Sequence, residues 1–144
     1  MSNWEYTKNP SRWLRASALL IVAASGFAAP AVGQRQGLAM LNQLEGGHWE
    51  LRDRDTRAPV EQLCLRDGRR LIQLRHPVSQ CEQLIVADNP SDVTVQYTCR
   101  GRGYGRTHIR RETGRLVQIE SQGIVDGLPF EFAAEGRRVG DCAS

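Results

Sequence analysis

Several features are missing from this 144-residue chain, and each absence argues against a class of function. No apolar run reaches the ~20 residues that a membrane-spanning helix needs, since the longest, Ala16–Ala29, has 14. No Cys-x-x-Cys pair occurs, so neither a zinc knuckle nor a redox-active dithiol is predicted. Because Gly-x-Ser-x-Gly and Gly-Lys-Ser/Thr motifs are also absent, the sequence contains no catalytic signature.

The N-terminal segment has the pattern of a secretory signal peptide. Arg12 and Arg15 precede the apolar run, and small residues follow it. Cleavage after Ala31 or after Gly33 fits the small-x-small rule. We therefore predict a signal peptide over residues 1–33 and one small secreted β-rich domain over residues 34–144, in the periplasm or outside the cell. The alternative is an uncleaved anchor. No cysteine closely follows the run, so a lipid anchor is not expected.

The positive charge of the chain is concentrated in this leader. The formal net charge is +3, but removing the leader's three basic residues and one acid leaves 16 arginines and 15 acids. A nearly neutral exported domain is not expected to bind nucleic acid. Lys8 is the only lysine, so every fixed cation after the leader is an arginine. Arginine binds carboxylates and phosphates through paired N–H groups.

Four cysteines in a short exported chain predict two disulfides, with three connectivities open. A predicted hairpin favours one of these connectivities. If Asn89-Pro90-Ser91 forms a three-residue loop, Ile85 faces Val95 and Cys81 faces Cys99, close enough to bridge. That pairing leaves Cys64 to bond with Cys142. The rival is a four-cysteine zinc site, which the wide spacings and the lack of close ligand pairs disfavour.

Alternating apolar residues predict short strands from His48 to the C-terminus, with turn residues between them. Leucine spacing predicts a short helix over Gln36–Glu45, and Asp67 is placed to cap a second helix of about two turns. The predicted fold is mostly β (α+β): a curled antiparallel meander or partial barrel with one or two short helices, stapled by disulfides. The predicted core contains Trp49, Leu51, Leu63, Leu71, Leu74, Ile85, Val93, Val95, Tyr97, Ile109, Val117, Ile119, Phe130 and Phe132.

Several landmarks occur together, in order, as they do in one known family. Gly47-His48-Trp49-Glu50 is similar to that family's Gly-x-Trp-Glu opening, and the ends Tyr97-Thr98-Cys99 and Arg138–Cys142 also match. With Cys64 and Cys81, these motifs resemble the exported bacterial proteins grouped as domain of unknown function 3617. The resemblance spans about Gly46–Cys142. It implies a periplasmic or lipid-anchored protein and assigns no catalytic residue. This chain lacks the lipoprotein cysteine and the Met-Pro-Gly-type segment of many members.

The densest charged feature is the segment Arg100–Arg115, which contains six arginines with an aromatic residue among them. It is interpreted as an anion-binding hairpin for an envelope protein or a small anionic ligand. The alternative is that these arginines face water or pair with nearby acids, namely Glu112, Glu120 and Asp126. The candidate contact residues are Trp49, Arg102, Tyr104, Arg106 and Arg110.

The three histidines, His48, His76 and His108, stand apart with no metal-ligand spacing, so no metal or cofactor is predicted. The favoured function is non-enzymatic binding. A second hypothesis is an enzyme whose site combines His76 or His108 with a distant acid. A third is a structural or stress-related envelope protein. The oligomeric state is left open.

Overall fold

The structure is a computed structural model that describes residues 37–77 and 81–143. The predicted signal peptide, residues 1–33, lies outside the described residues. The described part of the chain forms one seven-stranded antiparallel sheet. Its strands are β1 (Gly47–Asp53), β2 (Pro59–Leu65), β3 (Cys81–Asp88), β4 (Asp92–Cys99), β5 (Gly103–Thr113), β6 (Leu116–Val125) and β7 (Leu128–Gly140).

The strand order is β2-β1-β7-β6-β5-β4-β3. Strands β3 to β7 form a continuous meander in which each strand pairs with the next. The β1–β2 hairpin joins it through antiparallel pairing of β1 with β7, where His48 lies opposite Gly140. Strands β2 and β3 are the two edges, so the sheet remains open and does not close into a barrel. The predicted mostly antiparallel β architecture is confirmed.

Both predicted helices are reduced to single 3-10 turns, Leu41–Gln43 and Gly68–Leu71. Asp67 caps the second turn as predicted, because its side chain accepts a hydrogen bond from the Arg69 N–H at 2.9 Å. Isolated helices this short are marginal in water, and here each segment is positioned by burying its leucines against the sheet. No helix among residues 37–77 and 81–143 is long and apolar enough to cross a membrane.

One face of the sheet forms the core, and the two segments that contain the 3-10 turns cover it. Most of the predicted core residues are buried there, from Trp49 to Ile119. The prediction was wrong for Ile85, which is 38% exposed because β3 is an edge strand. Leu74 and Phe132 are only partly buried, and so is Phe130. The covering segments contribute further buried residues that were not predicted, including Leu38, Met40, Leu41 and Ile72.

The two predicted disulfides are present, Cys64–Cys142 and Cys81–Cys99, with Cα–Cα distances of 5.4 and 4.3 Å. The zinc alternative is therefore wrong. The predicted hairpin register is confirmed where Cys81 faces Cys99 and Ile85 faces Val95. It differs beyond a β-bulge after Ile85: the three-residue loop predicts Ala87 opposite Val93, whereas Val93 lies opposite Asp88. Bulges of this kind are common on edge strands, where they disrupt the ladder locally.

Candidate functional site

The face of the sheet opposite the core carries rows of outward side chains, because side chains alternate along a strand. One row crosses β4 to β7 through registered pairs and contains Gln96, Arg106, Gln122 and Glu131. On one side of this polar row lies a more apolar row of Thr98, Tyr104, Ile124 and Pro129. On the other side lies a row of Thr94, His108, Glu120 and Ala133.

Two depressions lie on this outer face and share the middle of the polar row. The first has a volume of about 620 Å³ and lies beside Tyr104 and Pro129. The second has a volume of about 650 Å³ and lies beside His108 and the β1–β2 loop. Both are bordered by Arg106, Gln122 and Glu131. The sheet register thus brings residues from three strands, distant in sequence, to one site.

Three of the six arginines in the predicted cluster, Arg102, Arg110 and Arg115, have acidic partners. Arg102 lies 3.4 Å from the Asp126 carboxylate, and Arg110 lies 2.7 Å from that of Glu112. Two of the acids named in the alternative interpretation therefore do pair with the cluster. Arg100 and Arg106 differ, because neither guanidinium makes an ion pair or side-chain hydrogen bond with any described residue. Of these two arginines, Arg106 is the one that borders the depressions on the outer face.

Tyr104 and Pro129 provide the apolar wall of the first depression. The Tyr104 side chain is 51% exposed, and both residues lie in the more apolar row. Phe130 also borders this depression, while its ring lies 6.0 Å from the His76 ring. An open site with an apolar wall and a few convergent polar groups has the character of a small-molecule site.

Below this site, a buried hydrogen-bond network holds the β4–β5 turn. His76 is 2% exposed, with Nε2 3.2 Å from the Arg102 carbonyl and Nδ1 3.1 Å from the Tyr97 hydroxyl. Because a carbonyl can only accept, Nε2 donates to it, which leaves Nδ1 to accept the tyrosine proton. The Asp126 N–H donates to the same carbonyl at 2.9 Å. The turn that begins the arginine hairpin is fixed from within the fold.

Burial raises the pKa of Tyr97 to about 12, so its hydroxyl stays protonated and can donate. A second buried pair extends the polar interior. The Thr107 hydroxyl donates to the Ile72 carbonyl at 2.6 Å and lies 2.8 Å from the Ser121 hydroxyl. These bonds tie a segment that covers the core to β5 and β6. No single-sequence signal identified this network, because its members lie on four separate segments.

His76, one of the residues suggested for an enzyme, has buried partners that are a hydroxyl and a carbonyl, with no carboxylate among them. The other, His108, is half-exposed and has Nε2 3.6 Å from the Asp92 carboxylate. Hydrogen bonding from Asn89, followed by the charge of His108, holds the pKa of Asp92 below its usual range. Only His108 therefore lies near an acid at an accessible surface.

The second depression is acidic in character. Its lining includes Asp53, Asp55, Glu120 and Glu131 against Arg54 and Arg106. Arg54 donates a hydrogen bond to Glu120 at 2.7 Å, which lowers the pKa of that carboxyl. The described residues include no group of three or more His, Cys, Asp or Glu placed to hold a metal ion. The excess of acids makes this depression the less favourable of the two for an anion.

A third depression, of about 320 Å³, is lined by three arginines and two glutamates that form ion pairs with one another. Arg137 lies 3.3 Å from Glu135, and Arg52 lies 3.1 Å from Glu50. Burial opposes ionisation of Glu135, but hydrogen bonds from Arg137 and Gln118 outweigh it, so the pKa of this carboxyl is lowered. The arginines here already have anionic partners within the protein, and a ligand would have to displace them.

Trp49, one of the predicted contact residues, is not at the surface. Its side chain is 0% exposed, and its indole N–H donates to the Glu45 carbonyl at 3.0 Å. It lies on the core-facing side of β1, as the alternation of that strand requires. The tryptophan of the Gly-x-Trp-Glu motif is therefore a core residue, and Trp49 cannot contact a ligand on the outer face.

The fold and the site define an open antiparallel β domain, cross-linked by two disulfides, with an amphipathic depression on its outer face. Comparisons with protein families, curated proteins and solved structures find no match. The resemblance to domain of unknown function 3617 stays a prediction, and the function is argued below from the geometry of this chain.

Proposed function

We propose that this chain is an exported, non-enzymatic binding domain that holds a small anionic ligand, or an anionic group of an envelope partner, in the depression beside Arg106. The observation that carries the proposal is the Arg106 guanidinium, which has no partner among the described residues and borders an apolar wall. Neighbouring arginines of the same cluster are neutralised by acids.

The chemistry of this site favours an anion with an apolar part. A guanidinium can donate two parallel N–H bonds to a carboxylate or phosphate, and charge-assisted bonds of this kind are the strong ones. Gln96 and Gln122 flank Arg106 in the register and add amide donors and acceptors. Tyr104 presents an exposed ring next to them. One ligand can thus form charged and apolar contacts together.

The proposed export rests on the signal-peptide pattern and on the cysteines. Both disulfides suit an oxidising compartment such as the periplasm or the extracellular space. The resemblance noted in the sequence implies the same compartment. These features support the proposal that the natural ligand or partner belongs to the bacterial envelope.

Calorimetric titration with phenylacetate, and with phenylacetamide as its uncharged counterpart, tests the proposal. We expect phenylacetate to bind and phenylacetamide to bind at least about tenfold more weakly. Arg106→Gln should lower phenylacetate affinity by about 10- to 100-fold, the range of a hydrogen bond to a charged group. Arg102→Gln is the matched control, because Arg102 is already paired with Asp126. Equal binding by the wild type and Arg106→Gln would refute the site.

A further inference from the structure

The depression beside Tyr104 is bordered by one cation and one anion that do not neutralise each other. Arg106 lies on β5 and Glu131 on β7, with Gln122 of β6 between them in the register. Two strand spacings place their Cα atoms about 10 Å apart. Neither side chain forms an ion pair or side-chain hydrogen bond with a described residue. The protein therefore presents two opposite charges across one short gap.

We propose that the ligand of this depression is a small zwitterion with an apolar side group, a free amino acid or a short peptide. The inference rests on the proposed anion site and adds a second charged contact to it. The ligand carboxylate binds Arg106, and its ammonium group binds Glu131. Gln122, between them, has an amide that can donate to the carboxylate and accept from the ammonium.

The row that contains Tyr104 and Pro129 can accommodate the apolar side group of the ligand. Tyr104 and Pro129 lie two residues along their strands from Arg106 and Glu131, a step of about 6.6 Å. That step is comparable with the reach of one aromatic amino-acid side chain. The Tyr104 ring, 51% exposed, offers a face on which such a side chain can stack. Charged contacts fall on one row and apolar contacts on the next.

The charge arrangement disfavours a ligand with anionic groups at both ends. A second negative group directed toward β7 would meet Glu131 and, in the neighbouring depression, the acids of the β1–β2 loop. Like charges at this separation repel, whereas an ammonium group is attracted. The arrangement therefore orients the ligand, with its carboxylate toward β5 and its ammonium toward β7.

The test compares three probes by calorimetry on the protein purified from its native envelope: L-phenylalanine, N-acetyl-L-phenylalanine and L-alanyl-L-phenylalanine. We expect one of the two zwitterions to bind at least about tenfold more tightly than the acetylated compound. The preferred zwitterion distinguishes a free amino acid from a peptide. Glu131→Gln should remove the preference by weakening the preferred zwitterion, and it should not weaken the acetylated compound, which has no ammonium group. Glu61→Gln, on the distant edge strand β2, is the control.

The two proposals fail in different ways. If the acetylated compound binds as tightly as both zwitterions, or if phenylacetate binds and neither zwitterion does, the zwitterion inference is overturned while the anion site stands. If Glu131→Gln leaves a measured preference for the zwitterion intact, Glu131 does not bind the ammonium group and the inference is also overturned. If neither phenylacetate nor any of the three probes binds, both proposals fail.

Discussion

Replacing Tyr97 by phenylalanine should destabilise the fold through a single hydrogen bond. The Tyr97 hydroxyl lies 3.1 Å from Nδ1 of His76 in the core, and the ring itself would remain in place. Without the hydroxyl, Nδ1 becomes a buried acceptor with no donor, which costs about 1–3 kcal/mol. For a small domain whose slope in urea is about 1–3 kcal/mol per molar, the unfolding midpoint should fall by about 1 M.

The same substitution should change the response to alkali. Burial raises the pKa of Tyr97 to about 12, above the ordinary value of 10.0 expected when the chain is unfolded. Between these values the unfolded chain releases the proton while the folded chain keeps it. Stability is therefore fully present below pH 10 and falls as the pH rises toward 12, by at most about 1.4 kcal/mol per pH unit. Urea unfolding across this interval should show a smaller decline in Tyr97→Phe.

Tyr104→Phe is the control, because it removes a hydroxyl from a side chain that is 51% exposed. Its stability should change by no more than about 0.5 kcal/mol. A double variant, Tyr97→Phe with His76→Leu, removes both partners of the bond and should recover part of the loss. If Tyr97→Phe is as stable as Tyr104→Phe, the proposed role of His76 as a buried acceptor is wrong.

Two further perturbations follow from the same structure. Converting Cys64 and Cys142 together to alanine should lower the free energy of unfolding in urea by up to about 4.5 kcal/mol, because the bond closes a separation of 78 residues; a loss below about 1 kcal/mol would contradict the chain-entropy argument. The pKa of Glu120 is lowered, chiefly by the hydrogen bond from Arg54, so its contribution to stability is present above the unfolded-state pKa and lost as the pH falls through the folded-state value. Glu120→Gln should therefore flatten the acid decline of the melting temperature below about pH 5, and an unchanged decline would exclude this pair as a source.

The sequence predicted the structure correctly where apolar and polar residues alternate next to a predicted turn. In β4, Val93, Val95 and Tyr97 alternate with polar residues and are all buried. Next to the loop after β3 the register is one residue away from the predicted one, and the bulge after Ile85 restores it, so that Cys81 lies opposite Cys99. The disulfide pairing was therefore predicted correctly, whereas the register beside the loop was not.

Features that depend on residues distant in sequence could not be predicted from local patterns in the same way. The pairing of β1 with β7, which joins His48 to Gly140, was not predicted. The buried position of Trp49 was predicted from its strand, and it excludes Trp49 as a contact residue. Ile85 was expected in the core because it faces Val95 across the predicted hairpin. It is partly exposed because β3 lies at an edge, and edge position depends on the order of all seven strands.

For the candidate site, too, the sequence did not show which charged side chains would have partners in the folded protein. Composition identifies six arginines between Arg100 and Arg115 but cannot distinguish a paired guanidinium from an unpaired one. Pairing is set by the sheet and its turns: Arg102 meets Asp126, which is 24 residues away, across two neighbouring turns. On β5, Arg106 has glutamines opposite it on both sides. Among the arginines of the cluster that folding leaves without an acidic partner, the strand register places Arg106 at the depression beside Tyr104.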